Sequence, residues 1–418
     1  MPPVRLLHTA DLHLDGPVSA PDPACAALAA QARARSLERL VQLAGERRVQ
    51  AVLLSGDVFH TPRPPMSAVL VLQEALAAWT KAGAQVFIAP GNHDPRQPGS
   101  VWEHWREMPG VHVFTPEPQG LALEDLGLWV AGAAHASSDV TEDLAARLPA
   151  PPAGLSGVAC LHADLPASKQ SDRHQPYAPT DLATLTNAGF AYWALGHWHK
   201  PQELAARPTV VMAGTPQGAH LDETGPHGAW LVEIEPGGVG SAKAEFMANA
   251  PLVFHDLMLD GLMQAADPAA LLEMVRAALR PEQQDMDHAA CLRLALRGPC
   301  PLWQELSGER AEQGRQALKH GLGVAGLVLD SSRLAPPVDL AALAGRPDVL
   351  GGLLKVLDQA AADEALLGEL EESLRPSLHP WTRGWEPDKR KAWLKDLLAE
   401  AGSRALRDLW LGEDGNEA

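Results

Sequence analysis

Asp11-Leu12-His13, Gly56-Asp57-Val58-Phe59-His60, Gly91-Asn92-His93-Asp94, the lone His162 and Gly196-His197-Trp198-His199 each follow a short apolar run. Carboxylate, amide and imidazole donors delivered in this order from separate strand ends are what a pair of adjacent divalent cations needs. Such mixed ligation suits Mn, Fe or Zn better than Mg or Ca. Two cations about 3.5–4 Å apart lower the pKa of a bridging water, position the hydroxide for in-line attack and offset charge on phosphoryl oxygens.

Taken singly, most of these runs also have an ordinary explanation. Asp11 and His13 lie two apart, so an extended chain would send both side chains to one face and Leu12 into the core; a solvated turn has the same composition. Gly56 lets the backbone turn sharply before Asp57, a carboxylate placed to bridge two cations or simply to cap a helix. Gly-Asn-His-Asp is a turn sequence as well as a ligand loop, with His93 placed to reach a phosphate rather than a metal. His162 alone could be a satisfied core histidine. The order of all five runs together is what sets the ordinary explanations aside.

The elements that must position these donors are visible in the hydrophobic pattern. Val4-Leu7, Ala51-Leu54, Gln85-Ile88, Leu128-Ala131, Gly157-Leu161, Tyr192-Leu195, Val210-Met212 and Ala229-Ile234 read as strands, with helices over Ala24-Arg47 and Met66-Lys81. In an α/β layer, chemistry gathers at the carboxyl ends of strands, where Asp11, Asp57, Asn92, His162 and His197 fall. The turn formers from Glu235 to Ser241 read as the end of this core. Beyond them, Leu252-Leu259, Pro268-Leu279 and Leu292-Leu296 suggest a small α+β unit. Pro336-Pro337 reads as a hinge, and the pattern is helical from Asp339 onward. Trp393, Leu394, Leu397, Leu398, Leu406, Leu409 and Trp410 there form an apolar stripe that serves equally as a docking face or as the chain's own core.

The net charge of -18 argues against binding nucleic acid by general electrostatics, although a metal pair would supply about four positive charges where a phosphate must sit. Lys169, Arg173, Lys200, Arg63 and Arg96 are the basic residues near the motif loops, and side chains of this kind are most often solvated. Four widely spaced cysteines form no CxxC pattern or dense disulfide framework, which fits a reducing compartment. No apolar run reaches the ~18 residues of a membrane span. The N-terminus lacks a signal-peptide pattern, and cleavage there would remove Asp11 and His13; the expected location is the cytoplasm.

The stretches His8-Thr9-Ala10-Asp11-Leu12-His13-Leu14-Asp15, Ser55 to His60, Tyr192 to His199, Gly214-Thr215-Pro216-Gln217-Gly218 and Glu223-Thr224-Gly225 resemble the calcineurin-like metallophosphoesterases. They look closest to the YhaO-like branch of the SbcD-type DNA repair exonucleases. The resemblance spans about Leu6 to Ile234. It implies an α/β fold, a four-layer αββα sandwich at residues 1–245, followed by a small α+β capping domain at 250–335 that shapes DNA access and a helical C-terminal region at 336–418. It further implies one metal held by Asp11, His13, Asp57 and His199 and a second by Asp57, Asn92, His162 and His197, with Mn the first choice. His93 would then stabilise or protonate the leaving oxygen, and His60 would orient the scissile phosphate.

The function so implied is a metal-dependent phosphodiesterase, a DNA exonuclease subunit working with a large coiled-coil SbcC-type ATPase. The C-terminal stripe is one candidate for docking on that partner, and dimerisation is expected from the family. Two departures weigh against strong intrinsic DNA binding: Ala219-His220 stands where relatives tend to carry Arg-His, and His227 where lysine is common. The alternative is a small-molecule phosphohydrolase acting on a cyclic nucleotide or nucleotide sugar. A non-enzymatic scaffold fits least, since every expected ligand is present.

Overall fold

The computed structural model describes residues 2–20, 23–165, 177–236, 242–279, 289–337, 343–382, 385–386, 388–398 and 401–402. Lys169, Arg173, Leu406, Leu409 and Trp410 lie outside the described residues. Two six-stranded sheets carry the first half of the chain. The first runs β12 (Ala242–Ala248), β11 (Gly228–Ile234), β1 (Val4–Thr9), β2 (Ala51–Leu54), β3 (Gln85–Ile88) and β4 (Val111–Val113); the second runs β5 (Gln119–Leu123), β6 (Leu128–Gly132), β7 (Ser156–His162), β8 (Tyr192–Gly196), β10 (Thr209–Met212) and β9 (Gln202–Ala206).

Strand periodicity divides each sheet's side chains between two cores. Leu6, Leu53 and Phe87 face inward and meet Val130, Val158, Cys160, Tyr192 and Val211 of the second sheet. Their neighbours Leu7, Val52, Leu54, Val86 and Ile88 point outward, under helices α1 (Pro23–Glu46) and α2 (Met66–Lys81), where Leu40, Leu72 and Trp79 are buried. On the far side, Trp193, Leu195 and Met212 pack with Leu144 and with Leu185 of helix α3 (Leu182–Asn187). The result is the four-layer sandwich that the family resemblance implies. Parallel pairing of β1 with β2, β2 with β3, β6 with β7, and β7 with β8 places their carboxyl ends together.

The turn-rich segment after Ile234 does not end the core. β12 follows it and pairs antiparallel with β11 from Ile234↔Ala242 to Gly228↔Ala248. The chain divides into two compact units, Met1–His255 with Asp285–Cys291, and Asp256–Gln284 with Leu292–Ala418. Outside the sandwich, β13 (Leu252–Leu259), β14 (Ala289–Pro299) and β15 (Gly326–Ala335) form a three-stranded sheet. The second unit holds α4 (Pro268–Leu279), α5 (Trp303–Leu306), α6 (Ala311–Leu322), α7 (Val349–Ala362) and α8 (Glu364–Thr382). Within the C-terminal stripe Leu394 is buried and Leu397 is exposed, while Trp393 meets Trp385 edge-on.

Cysteine chemistry departs from expectation at one pair. Cys25 and Cys291 are joined, whereas Cys160 and Cys300 are free and buried. At a sequence separation of 266, the partners' spacing carried no signal. No helix among the described residues is long and apolar enough to cross a membrane.

Candidate metal centre

The five runs converge, but not by the extended geometry that their i,i+2 spacing implies. β1 ends at Thr9, and Asp11, His13, Asp57 and His197 all adopt positive φ, at 53°, 42°, 48° and 122°. Non-glycine residues in such conformations store strain and gather at functional sites. The turns are held in place by the neighbouring run: Asp11 N donates to Gly56 O and His13 N to Asp57 O, both at 3.0 Å. Gly56 and Gly91 are required for closeness as well as for turning. A Cβ at Gly56 would lie 2.3 Å from the His162 ring, and one at Gly91 would lie 2.3 Å from Asp57 Oδ1.

Two overlapping clusters result. Ligand atoms of Asp11, His13 and His199 lie within 4.8 Å of one another, as do those of Asp11, Asp57 and His162. Asp57 stands between them: its Oδ1 accepts the His93 backbone N–H at 2.9 Å, while Oδ2 is 3.3 Å from His162 Nε2 and 3.9 Å from His13 Nε2. Asn92 Oδ1 and His197 Nδ1 approach His162 Nε2 at 3.0 and 3.3 Å. His13 Nε2 is 3.3 Å from His199 Nε2. A third group, His13, His60 and His93, completes the wall of a cavity of about 200 Å³ that Arg33, His220 and Gln217 also line.

Electrostatics mark the same place. Burial opposes ionisation of Asp57, yet the His162 imidazole beside it holds its carboxyl well below the usual range. Burial likewise disfavours charge on His162 and His199, but Asp57 for the first and Glu223 for the second push them up to about 9. Burial pushes the Asp11 carboxyl up. Protonated imidazoles therefore compensate buried carboxylates in the cation-free protein. Asp11 Oδ1 is buried without a hydrogen-bond partner, an unmet acceptor at the point shared by both clusters. The donor set and that orphaned oxygen fit a divalent pair.

The supporting residues are the part that motif reading missed. Asp15 accepts from His60 N and Thr61 Oγ1, each at 2.6 Å. Asp94 accepts from Gly91 N at 2.7 Å and Phe59 N at 3.0 Å. Glu223 receives His199 Nδ1 on one oxygen and Ala219 N on the other at 2.6 Å. Arg33, buried on α1, donates to Gly16 O and, at 2.8 Å, to Pro17 O. Asp15 and Glu223 sit inside the matching stretches and Asp94 inside the Gly-Asn-His-Asp run, so all three were legible as residues without roles; nothing in its neighbourhood marked Arg33. Of the basic residues near the motif loops, Arg96 is turned to the Val113 and Phe114 carbonyls, while Arg63 and Lys200 are exposed. His227 is buried, with its ring nitrogens 3.0 and 3.1 Å from the Thr215 and Glu223 carbonyls.

Two cation-sized donor clusters gathered around Asp11 and Asp57, at the strand ends of a double-sheet sandwich, are the arrangement of a metal-dependent phosphoesterase. The chain carries a calcineurin-like phosphoesterase domain: that family's profile matches residues 4–201. Among individual proteins it is similar to the uncharacterized metallophosphoesterase YhaO of Bacillus subtilis, with 29% identity over 309 residues, 72% of this chain and 73% of that one. It is also 26% identical over 271 residues to the SbcD component of the nuclease SbcCD from the same organism, covering 56% of this chain and 67% of the relative. With the DNA double-strand break repair protein Mre11 of Methanopyrus kandleri it shares 26% over 265 residues, 56% of this chain and 55% of that one.

Proposed function

We propose that this protein is a DNA-processing phosphodiesterase, a nuclease subunit of SbcD type that acts with a coiled-coil ATPase partner and takes Mn as its divalent ion. The observation that carries the reading is Asp57 Oδ2, within 4 Å of imidazole nitrogens in both clusters. Asp11, His13, Asp57 and His199 would hold one ion, and Asp57, Asn92, His162 and His197 the other. Bound there, the ions would supply an activated water and neutralise charge on the scissile phosphate. The named relatives that belong to a nuclease and to double-strand break repair support DNA as substrate.

The chain's own residues complete the chemistry. His93 Nδ1 faces the His60 carbonyl at 3.1 Å and donates to it, which leaves Nε2 to exchange a proton with the leaving oxygen. With His13 Nε2 given to a cation, its Nδ1–H donates to His60 Nδ1, 3.3 Å away, and fixes the His60 proton on Nε2 as a donor for a phosphoryl oxygen. The stacked His60 and His93 rings, with centroids 4.7 Å apart, keep these two roles adjacent.

The test is Mn-dependent digestion of end-labelled single- and double-stranded DNA beside 2′,3′- and 3′,5′-cyclic nucleotides, with and without a candidate ATPase. DNA should be degraded. His93→Ala should lose turnover by about 10²–10⁴-fold while retaining both ions, as removal of a general acid predicts. The net charge of -18 favours a small-molecule phosphohydrolase instead. Efficient turnover of cyclic nucleotides with DNA left intact in every arm would establish that second reading.

A further inference from the structure

His199 has two ring nitrogens with different neighbours. Nε2 faces His13 Nε2 at 3.3 Å, inside the Asp11, His13 and His199 cluster. Nδ1 faces Glu223 Oε1 in a short contact. The Glu223 carboxylate is itself held: Oε2 accepts Ala219 N at 2.6 Å, and its side chain is only 11% exposed. The backbone around it is braced as well, with Glu223 N donating to His220 O at 3.0 Å and Glu223 O lying 3.1 Å from His227 Nε2.

The other cluster is supported differently. His162 Nδ1 faces the Ser55 backbone carbonyl at 2.9 Å, a neutral acceptor. Within the first cluster, His13 Nδ1 faces another imidazole, His60. Among the contacts of the described residues, an anionic acceptor stands behind the ring of His199 and behind neither of these two. An anion on Nδ1 fixes the proton there, turns the Nε2 lone pair toward a cation and makes that nitrogen more basic.

We propose that Glu223 is a positioning residue that makes the Asp11, His13 and His199 half of the centre the tighter of the two cation sites. Glu223 is in none of the ligand clusters and acts through His199, whose Nδ1 it holds. This rests on the function proposed for the metal centre and adds an order to it: the half-site backed by Glu223 fills first, and the half-site built on His162 fills second. A partner of this kind is typically worth about 10–100-fold in metal affinity.

The experiment is titration of the chelator-stripped full chain with Mn, followed by isothermal calorimetry and electron paramagnetic resonance, for wild type, Glu223→Gln and Glu223→Ala. Wild type should bind two ions in two resolved steps, the first seen as an isolated Mn and the pair as a spin-coupled signal. Glu223→Gln keeps the side-chain shape and an oxygen for Ala219 N but removes the charge. It should weaken the first step about 10–100-fold and leave the second close to its wild-type value, with the fold retained as read by an unchanged far-ultraviolet circular dichroism spectrum. Glu223→Ala should weaken the same step at least as much. Two ions bound by Glu223→Gln with wild-type affinities would overturn the role of Glu223 while leaving the metal centre standing. A wild-type chain that binds no Mn would overturn the centre and this inference together.

Discussion

Asp94 joins two strand ends through a single carboxylate, with Oδ1 on Gly91 N and Oδ2 on Phe59 N. It is fully buried, and burial followed by repulsion from Asp57 pushes its carboxyl up to about 7. Asp94→Ala would leave two buried backbone donors unpaired, at ~1–3 kcal/mol each, so stability should fall by about 3 kcal/mol. Since His93 lies between Gly91 and Asp94, kcat should fall with it while KM changes little; urea unfolding and steady-state kinetics read the two effects. A stable Asp94→Ala variant with full activity would remove this role. The contrast with Asp57 shows where sequence reading runs out at this scale. Donors that meet a cation fall into recognisable runs, because each needs a fixed residue type at a strand end. The carboxylates behind them, Asp15, Asp94 and Glu223, need only reach nearby N–H groups, a hydroxyl or a ring, and many residues along a chain could do that.

Buried strands and an amphipathic helix were readable almost to the residue: β2, β3 and α2 lie where the apolar pattern put them. Edge strands were not. β4 is three residues long, and β5 and β9 are half-exposed along their length, so neither a continuous apolar run nor a clean alternation marks them. Helix α6 was also missed. It contains Gly314 and Gly321, which weaken its helical signal yet allow approach to the Glu305 carbonyl and the Leu272 side chain, where a Cβ would lie at 2.3 and 2.7 Å. The exits of the strands matter most for function, and Gly56 tests them. It has φ of +90°, so Gly56→Ala carries backbone strain of about 1–3 kcal/mol and also drives a methyl into His162. The expected outcome is loss of one of two bound Mn ions, with far-ultraviolet circular dichroism unchanged. Retention of both ions would show that the β2 exit has slack the geometry does not reveal.

At the scale of the whole molecule, buried histidines set the pH at which the metal-free fold is most stable. Burial holds His8 and His13 at about 3 and His135 at about 4, all below the value near 6.5 of an unfolded histidine. As pH falls below 6.5 the unfolded chain takes up protons that these folded rings refuse, and stability is lost. His162 and His199 run the other way. Burial opposes their charge, but the neighbouring carboxylates push both up to about 9, so their contribution is complete below 6.5 and disappears as pH rises through 9. The two trends meet near 6.5. Cations reverse the upper limb, because binding displaces those two protons and becomes more favourable as they become easier to remove. Calorimetric melting in chelator at pH 5.5, 6.5 and 8.5 should therefore peak at the middle value, and the increase in melting temperature on adding Mn should be largest at 8.5. A chelated protein at least as stable at pH 8.5 as at 6.5 would mean that His162 and His199 are neutral in the metal-free fold, leaving the buried carboxylates to be compensated by some other charge.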